Sequence, residues 1–372
     1  MAGKVTLFDL ADALGVSTGT VHRALHGHPD VNPHTKTRVL HMAKSMGYRP
    51  NLAARYLSRK RNYRISINTL KGTTSFWDEV RSGIEQEAKL IGFDSVELEF
   101  RTYPRIGEGE QEAFEEALRA KVDGIISFPT HPKSFRGWMR RATSASTPVV
   151  CVATDAPDTG RLAVVSIDTM ASGSLAADLI GRVFGGKGKV ATTLSDLQIT
   201  EHAEKCKAFA STLRSFYPEM QLVAQIEDHD IETEAYDKCR KLFQTHPDLA
   251  GMYITTEASI PVLNAAREAG ILQQLTIVTT DIFPALVEHI RAGSVLATIY
   301  QRPQTQGRMA FRVLHEFLVQ CSSPAMQVTL APHLIMRGSL DLFLQRRSME
   351  STPEKGGRLQ LDSRELEGYA IE

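Results

Sequence analysis

The sequence predicts an N-terminal all-α domain followed by a two-lobed α/β domain with doubly wound parallel sheets. The first 49 residues contain short helical stretches separated by tight turns. Beyond them, apolar β-branched runs alternate with amphipathic stretches over about 280 residues, which indicates parallel α/β sheets and is long for one sheet. With 372 residues, of which 42% are hydrophobic and 23% charged, the chain has enough apolar material for two or three compact units.

The first two helical stretches are separated by only three residues, Gly15-Val16-Ser17. A capping-box pattern that begins at Thr6 starts the first helix, and Ser17 or Thr18 can cap the second. Two short helices joined by a tight glycine-containing turn form a helix-turn-helix, whose second helix lies in the major groove of DNA. We therefore predict a helix-turn-helix at this end of the chain.

A third helix is predicted after Asn32, which can cap it, with Pro33 in its first turn. Four apolar residues are predicted to face inward from this helix: Val39, Leu40, Ala43 and Met46. Pro50 then breaks the helical pattern, and the run that ends at Arg61 is rich in small and basic residues. Its length and charge suit a linker that contains a further helical turn or two.

The larger part of the chain alternates between strands and helices. Strands are expected at residues 64–70, 95–100, 124–128, 148–153, 164–167, 189–193, 222–227, 251–255 and 275–279. Helices are expected at residues 77–91, 109–121, 171–184, 201–216, 233–245, 261–269 and 304–319. Two lobes with a ligand cleft between them would account for this length, and the polar, charged residues after position 344 predict a disordered tail.

Charge is unevenly distributed along the chain, although the formal net charge is zero. Residues 1–64 contain eleven Lys and Arg but only three acidic residues, so the remainder of the chain is acidic. A basic segment fused to an acidic body favours polyanion binding at one end. A solvated basic tail is the alternative, but a tail lacks the regular apolar spacing seen here.

Several function classes find no support in the sequence. No run of about eighteen apolar residues and no signal-peptide pattern occurs, so we expect a cytoplasmic protein without a membrane segment. The four cysteines are scattered, which predicts neither a disulfide framework nor a metal site, and no cofactor is expected. A glycine-rich run resembles a phosphate-binding loop, but Gly188 stands where Ser or Thr is required. No catalytic constellation is present, so we predict that the protein is not an enzyme.

Many ordered positions between Leu7 and Leu57 resemble the LacI/GalR family of bacterial repressors. The matching segments include Asp9-Leu10-Ala11, Leu14-Gly15-Val16-Ser17, Thr20-Val21, Gly47-Tyr48, Pro50-Asn51 and Ala54-Arg55. Further matches resemble the ligand-binding core of that family and the periplasmic sugar-binding proteins, including Gly83-Ile84-Glu85, Val122-Asp123-Gly124-Ile125-Ile126, Asp281 and the run from Gln301 to Gly307. The resemblance covers roughly residues 5–340, judged by where this α/β pattern begins and ends.

The resemblance implies a repressor of a carbohydrate uptake or catabolism operon that binds double-stranded operator DNA as a homodimer or higher oligomer. A small sugar-like effector would bind between the lobes of a periplasmic-binding-protein-like domain. We place the helix-turn-helix domain at 1–49, a hinge helix and linker at 50–62, the effector and dimerisation domain at 63–344 and the tail at 345–372.

DNA contacts are expected from the second helix and the hinge. Arg23 lies one helical turn from Thr20, where a guanidinium can bond a guanine edge or hold a phosphate. His22 replaces a serine that is usual in the family, and Leu57 is expected to wedge between base pairs or else to pack on Tyr56 or its dimer mate. The complete expected set is Thr6, Ser17, Thr18, Thr20, His22, Arg23, Asn32, Tyr48, Asn51, Ala53, Arg55 and Leu57.

Effector contacts are expected at strand ends, turns and a helix start, where ligands meet open α/β sheets. The expected polar residues are Asp155, His202, Lys205, Asp281 and Gln301, while Asp168 serves either the ligand or the crossover between lobes. Phe76 and Trp77 follow the first strand, where related sugar-binding proteins stack aromatic rings on sugars; packing in the core is the alternative. Lys205 stands where the family often has arginine, so a bidentate donor is replaced by a point charge.

Two rival functions are also compatible with the sequence. A sugar-binding transport component would suit the α/β part alone, and a sugar-modifying enzyme would use a similar cleft. The basic N-terminal segment favours the regulator over both. The sequence leaves open whether the effector releases or strengthens DNA binding, because the same two-state coupling serves either sign.

Overall fold

The computed structural model describes residues 7–25, 31–46, 62–71, 75–91, 96–320 and 324–351. The N-terminal domain contains three helices, α1 (Leu7–Leu14), α2 (Thr18–Leu25) and α3 (Pro33–Ser45). Gly15 adopts a φ of 65°, a left-handed conformation that glycine tolerates, and so allows the tight turn after α1. The three predicted helices are therefore present, and the predicted short turn connects α1 to α2.

A small apolar core holds these three helices together. Its buried side chains are Leu10, Ala11, Leu14, Val21, Ala24, Val31, Val39 and Ala43. Leu40 was predicted to face inward, and this is wrong, because its side chain is 47% exposed. One helical position turns it about 100° away from Val39, so it leaves the buried stripe that Val39 and Ala43 form at i and i+4.

The larger domain alternates strands and helices. Its strands are β1 (Tyr63–Leu70), β2 (Val96–Tyr103), β3 (Gly124–Ser127), β4 (Val149–Val152), β5 (Ala163–Ile167), β6 (Lys187–Leu194), β7 (Glu219–Glu227), β8 (Leu249–Ile254), β9 (Thr276–Thr280), β10 (Ala297–Tyr300), β11 (Gln327–Leu330) and β12 (His333–Met336). Its helices are α4 (Ser75–Ile91), α5 (Glu110–Arg119), α6 (Pro132–Ser144), α7 (Thr169–Val183), α8 (Thr200–Phe216), α9 (Glu232–Thr245), α10 (Ser259–Glu268), α11 (Pro284–Ala292), α12 (Pro303–Gln320) and α13 (Arg337–Ser351).

The strands form two six-stranded sheets, one in each lobe. The first has the order β11-β5-β4-β3-β1-β2 and is parallel throughout, and the second has the order β12-β10-β9-β8-β6-β7. In the second sheet only the pairing of β10 with β12 is antiparallel. The predicted doubly wound, two-lobed α/β fold is therefore confirmed.

The chain crosses between the lobes after β5, after β10 and after β11. At each crossover the chain leaves a sheet from the carboxyl end of a strand. The carboxyl ends of the strands in both sheets therefore face the space between the lobes. At the first crossover, Asp168 caps α7 by accepting a hydrogen bond from the Ala171 amide at 2.8 Å. Asp168 therefore has the crossover role that the sequence left open.

Three short strands and three helices of the larger domain were not predicted. The unpredicted strands are β10, β11 and β12, of four residues each. The unpredicted helices are α6, α11 and α13. Because α13 extends to Ser351, the assignment of residues 345–351 to a disordered tail is wrong; residues 352–372 lie outside the described part.

Helix α12 returns to the first lobe and packs closely against α4. A Cβ atom on Gly83 of α4 would overlap the Gln304 carbonyl oxygen, and one on Gly307 of α12 would overlap the Val80 carbonyl oxygen. One turn further along, the buried Glu87 carboxylate accepts hydrogen bonds from Arg308 and Arg312. The two glycines thus allow the backbones to approach, and the ion pairs align the helices.

We expect Gly83→Ala and Gly307→Ala each to lower the free energy of unfolding by about 1–3 kcal/mol, because the added methyl group meets backbone that must move. Urea unfolding measures the change. Gly137→Ala in α6 is the matched control: a Cβ there meets nothing within 4 Å, so this helical substitution should be neutral or stabilise by up to about 1 kcal/mol. Equal effects at all three positions would contradict the close packing of α4 and α12.

The loop after β3 is held by a buried carboxylate at the start of α5. Glu110, 3% exposed, accepts hydrogen bonds from the amide and the hydroxyl of Thr130. The next residue, His131, reaches Asp196 of the second lobe, with 3.4 Å between the ring nitrogen and the carboxylate oxygen. Burial raises the pKa of Glu110 to about 7, although the Thr130 hydrogen bonds oppose the shift.

Because the pKa of Glu110 is higher in the folded than in the unfolded state, its contribution to stability is complete below about pH 4.5 and is lost as the pH rises through about 7. We expect Glu110→Gln to reduce the loss of unfolding free energy between pH 4.5 and 8 by up to about 3 kcal/mol. Urea unfolding across this pH range measures it. An unchanged pH profile in the variant would show that this carboxylate titrates normally.

Candidate functional site

Helix α2 presents a short polar surface. Val21 and Ala24 are fully buried, whereas Gly19 and Arg23 are exposed and Thr20 is half-buried. The helix therefore has a buried face and an exposed face. The outer face offers a guanidinium and a hydroxyl group one helical turn apart, which is suited to contacts with base edges or phosphates.

Two residues expected at the DNA also cap helices. The Ser17 hydroxyl accepts a hydrogen bond from the Thr20 amide at 3.1 Å and lies 2.9 Å from the Thr20 hydroxyl. The Asn32 side chain accepts a hydrogen bond from the His34 amide at 2.9 Å. Both side chains thus satisfy amides at the starts of α2 and α3, and DNA contact by either stays a prediction.

Several expected DNA contacts lie outside the described residues: Thr6, Tyr48, Asn51, Ala53, Arg55 and Leu57. The same holds for the side chain of His22, whose backbone belongs to α2. The hinge helix and the insertion of Leu57 between base pairs therefore stay predictions from the sequence.

A buried ammonium group organises the cleft edge of the second lobe. Lys205 on α8 is fully buried, and its Nζ lies 2.5 Å from a carboxylate oxygen of Glu201 one turn earlier. It also donates to the Gln301 side-chain oxygen at 2.8 Å and to the Thr255 carbonyl oxygen at 3.2 Å. These partners tie α8 to the segments that follow β8 and β10.

The hydrogen-bonded chain continues from Gln301 to Asp281. The Gln301 amide and its side-chain nitrogen donate to the two oxygens of Asp281 at 2.8 and 2.5 Å. Asp281 follows β9 in a left-handed conformation with φ of 60°, which an Asp side chain tolerates better than most. Burial raises the pKa of Asp281 to about 6, against the opposing hydrogen bonds from Gln301. Three of the residues predicted from sequence are therefore brought together.

His202 lies beside this chain, also buried. Its Nδ1 accepts a hydrogen bond from the Asp196 amide at 3.4 Å, and its Nε2 lies 3.9 Å from a Glu201 oxygen. Burial lowers the pKa of His202. Burial therefore favours the neutral form of the ring.

Asp155 lies at the facing edge of the first lobe. Its carboxylate binds the Arg161 guanidinium through both oxygens, with 2.7 Å between Nη2 and Oδ2. Its carbonyl oxygen accepts a hydrogen bond from the Thr200 hydroxyl of the second lobe at 3.0 Å. The Glu201 amide donates to the Thr154 hydroxyl at 3.2 Å, so the two lobes meet at the start of α8.

The aromatic pair at the start of α4 packs in the core of the first lobe. Phe76 and Trp77 are 7% and 5% exposed, and their ring centroids are 4.9 Å apart. Trp77 also packs on Phe128 at 4.5 Å. The core alternative thus describes their contacts, and stacking on a sugar stays a prediction.

Sequence reasoning missed several acidic residues at this cleft. Glu79 of α4 accepts a hydrogen bond from the Tyr300 hydroxyl at 2.8 Å and binds Arg347 of α13. Ser75, one turn earlier, donates to Glu257 of the second lobe at 2.8 Å. Burial raises the pKa of Glu79 to about 7.

Glu201 was also missed, although one signal was available. It precedes Lys205 by four residues on a predicted helix, the spacing at which opposite charges meet. No comparable local signal links Glu79 to Arg347. Within the described part of the chain, no group of His, Cys, Asp and Glu side chains is arranged to hold a metal ion. None of the described helices is both long and apolar enough to cross a bilayer.

Comparison with known proteins matches both parts of the chain to families. Residues 66–320 match a periplasmic binding protein domain, and residues 6–51 match the bacterial regulatory proteins of the lacI family. The chain is 27% identical over 321 residues to catabolite control protein A of Staphylococcus epidermidis, covering 84% of this chain and 92% of that protein. The protein of that name from Staphylococcus xylosus is 26% identical over 359 residues, covering 90% and 99%.

Solved structures resemble the larger domain. GanP, a glucose-galactose binding protein from Geobacillus stearothermophilus, has a TM-score of 0.71 at 26% identity, covering 76% of this chain and 99% of that chain. A solute-binding protein from Burkholderia graminis, in complex with D-arabinose, has a TM-score of 0.70 at 21% identity and shares the fold, covering 75% and 97%. The protein belongs to the LacI family of bacterial regulatory proteins, with a helix-turn-helix domain joined to a periplasmic-binding-protein domain.

Proposed function

We propose that the protein is a sequence-specific repressor of a carbohydrate uptake or catabolism operon, whose operator affinity is set by a sugar-like effector bound between the lobes. One observation carries the proposal: the lacI-type segment at residues 6–51 is fused to a two-lobed domain with a buried polar chain at its cleft edge. The relatives named catabolite control proteins and the sugar-binding neighbours support the carbohydrate class.

DNA recognition is assigned to the exposed face of α2. Arg23 and Thr20 lie on the side opposite the buried Val21 and Ala24, so this face can enter the major groove without unfolding the domain. A homodimer would present two such helices to a pseudo-palindromic operator. A regulator of this kind acts in the cytoplasm, where the operator is located.

Effector recognition is assigned to the facing edges of the two sheets. Asp281 and Gln301 provide acceptor and donor atoms that hydroxyl groups of a sugar can engage. The contacts of Thr154 and Asp155 with the start of α8 change if the lobes open. An effector that prefers one lobe arrangement therefore shifts the population of DNA-binding states.

A pure solute-binding function leaves the N-terminal segment unexplained. Residues 6–51 match a regulatory family, and the three helices of that segment have their own core. A chain that only carried sugars would need neither the helices nor the exposed Arg23. The regulator therefore accounts for both parts.

We expect Arg23→Ala to weaken specific DNA binding by about 1–3 kcal/mol if the guanidinium reads a guanine, because the bidentate pair is lost. The probe is a duplex that the wild-type protein selects from a random library, and fluorescence anisotropy measures affinity for it and for scrambled duplex. Arg140→Ala in α6 is the control, since it removes one exposed positive charge far from α2 in sequence. If both variants bind the selected duplex as the wild type does, α2 is not the reading helix.

We expect Asp281→Asn to raise the effector concentration for half-maximal change in DNA affinity by about tenfold or more, because one charged acceptor is lost. The effector is first found by thermal-shift screening of sugars, sugar acids and polyols. Asp248→Asn is the control, since this exposed carboxylate at the other end of β8 pairs with Lys189. DNA affinity without effector should stay unchanged in both variants, and an unaltered dose response in Asp281→Asn would remove this residue from the site.

A further inference from the structure

All hydrogen-bond donors of the buried lysine are used inside the protein. An ammonium group has three N–H donors and no acceptor. The Nζ of Lys205 has three partners within reach, namely Glu201 at 2.5 Å, Gln301 at 2.8 Å and the Thr255 carbonyl oxygen at 3.2 Å. Lys205 was expected to contact the effector, but these bonds leave it no donor for a ligand.

Donors and acceptors can be counted in the same way for Gln301 and Asp281. Gln301 gives its oxygen to Lys205 and one N–H of its side-chain nitrogen to Asp281, which leaves one N–H. Asp281 accepts two hydrogen bonds, while a carboxylate offers about four acceptor positions. The unused capacity at this end of the cleft is therefore mainly that of an acceptor, and hydroxyl groups can donate to it.

His202 and the facing arginine, Arg161, offer no free positive charge either. Burial lowers the pKa of His202 and so favours its neutral form. Arg161 in the facing lobe is held by both oxygens of Asp155 and donates to the Met326 carbonyl oxygen at 3.0 Å. A carboxylate or phosphate placed beside Asp281 would meet like charge, while Lys205 and Arg161 are already paired with carboxylates, in surroundings where such repulsion is strong.

We propose that Glu201 determines the class of effector. By neutralising Lys205 and taking up one of its donors, Glu201 makes this end of the cleft an acceptor site that takes the hydroxyl groups of an uncharged sugar or polyol and rejects sugar acids and sugar phosphates. The inference rests on the proposed function, since it concerns the same cleft, and adds to it the residue that selects by charge.

The first arm of the test uses the wild-type full-length protein and matched pairs of ligands. Isothermal titration compares D-glucose with D-glucuronate and with D-glucose 6-phosphate, D-galactose with D-galacturonate, and myo-inositol with inositol phosphate. Exposed Lys71 follows the end of β1 and exposed Lys133 lies in the first turn of α6. Both can attract anions weakly, so all titrations use the same ionic strength. The proposal requires the neutral member of any binding pair to bind at least about tenfold more tightly. A charged member that binds more tightly than its neutral partner, or within about tenfold of it, would overturn the proposal.

The second arm of the test removes the carboxylate that neutralises Lys205. It does not require that a natural ligand be known. Glu201→Gln leaves Lys205 without its carboxylate, and the double variant Glu201→Gln/Lys205→Arg places there a group that stays charged and has two further donors. D-Glucuronate and inorganic phosphate are the probes. We expect the double variant to bind at least one of them about tenfold more tightly than the wild type does.

Glu204→Gln is the matched control. It makes the same chemical change on the same helix, at a carboxylate that pairs with the Thr169 hydroxyl at 2.5 Å. Circular dichroism checks that every variant folds. If the folded double variant binds both anions no better than Glu204→Gln does, Glu201 is not the residue that excludes them, and the proposal fails even when no neutral sugar of the panel binds.

The two proposals fail in different ways. If neutral sugars bind and acids do not, yet operator affinity never changes on ligand addition, the charge selection stands and the regulator function falls. If a sugar acid binds to the wild-type cleft and changes operator affinity, the regulator function stands and the role of Glu201 falls. Fluorescence anisotropy on the selected duplex separates these results from those of the titrations.

Discussion

The buried ammonium of Lys205 is the constraint on which the cleft depends. A charge removed from water is tolerated only when it is paired and fully hydrogen-bonded, so the chain must bring three acceptors to one point. Those acceptors come from α8 itself and from the segments after β8 and β10, and the last of them, Gln301, then orients Asp281 after β9. The same hydrogen bonds therefore hold the segments of the second sheet together and set the polarity of the cleft.

The same place joins the lobes. Glu201 neutralises Lys205 through its side chain, while its amide donates to Thr154 of the first lobe. On α4 a second set of contacts crosses the gap, from Ser75 to Glu257 and from Glu79 to Tyr300 and Arg347. Buried carboxylates with raised pKa values, Glu79 and Glu257, thus lie where lobe movement would change their surroundings. A ligand that alters these contacts alters the relative stability of the lobe arrangements.

Sequence patterns predicted the fold class, the three N-terminal helices and the assignment of Lys205, Gln301 and Asp281 to one site, because ligands meet open α/β sheets at strand ends, turns and helix starts. They did not predict that Lys205 has all its donors bonded within the protein. Glu201 lies at the i,i+4 spacing that indicates a pair, but the Thr255 carbonyl oxygen is recognised only when α8 and β8 are placed together. The Glu79–Arg347 pair joins residues 268 positions apart and depends on the end of α13, where residues 345–351 were taken for a tail. Leu40 shows how exact a prediction from helical spacing must be, because an error of one position assigns a residue to the wrong face of the helix.

The most direct test of this account is a high-resolution crystal structure of the full-length protein with its strongest-binding sugar in the cleft. The account predicts that Lys205 Nζ stays bonded to Glu201, Gln301 and the Thr255 carbonyl oxygen, while the sugar hydroxyls donate to Asp281. A structure in which Lys205 leaves Glu201 and bonds the ligand directly, above all through a carboxylate or phosphate group, would contradict it.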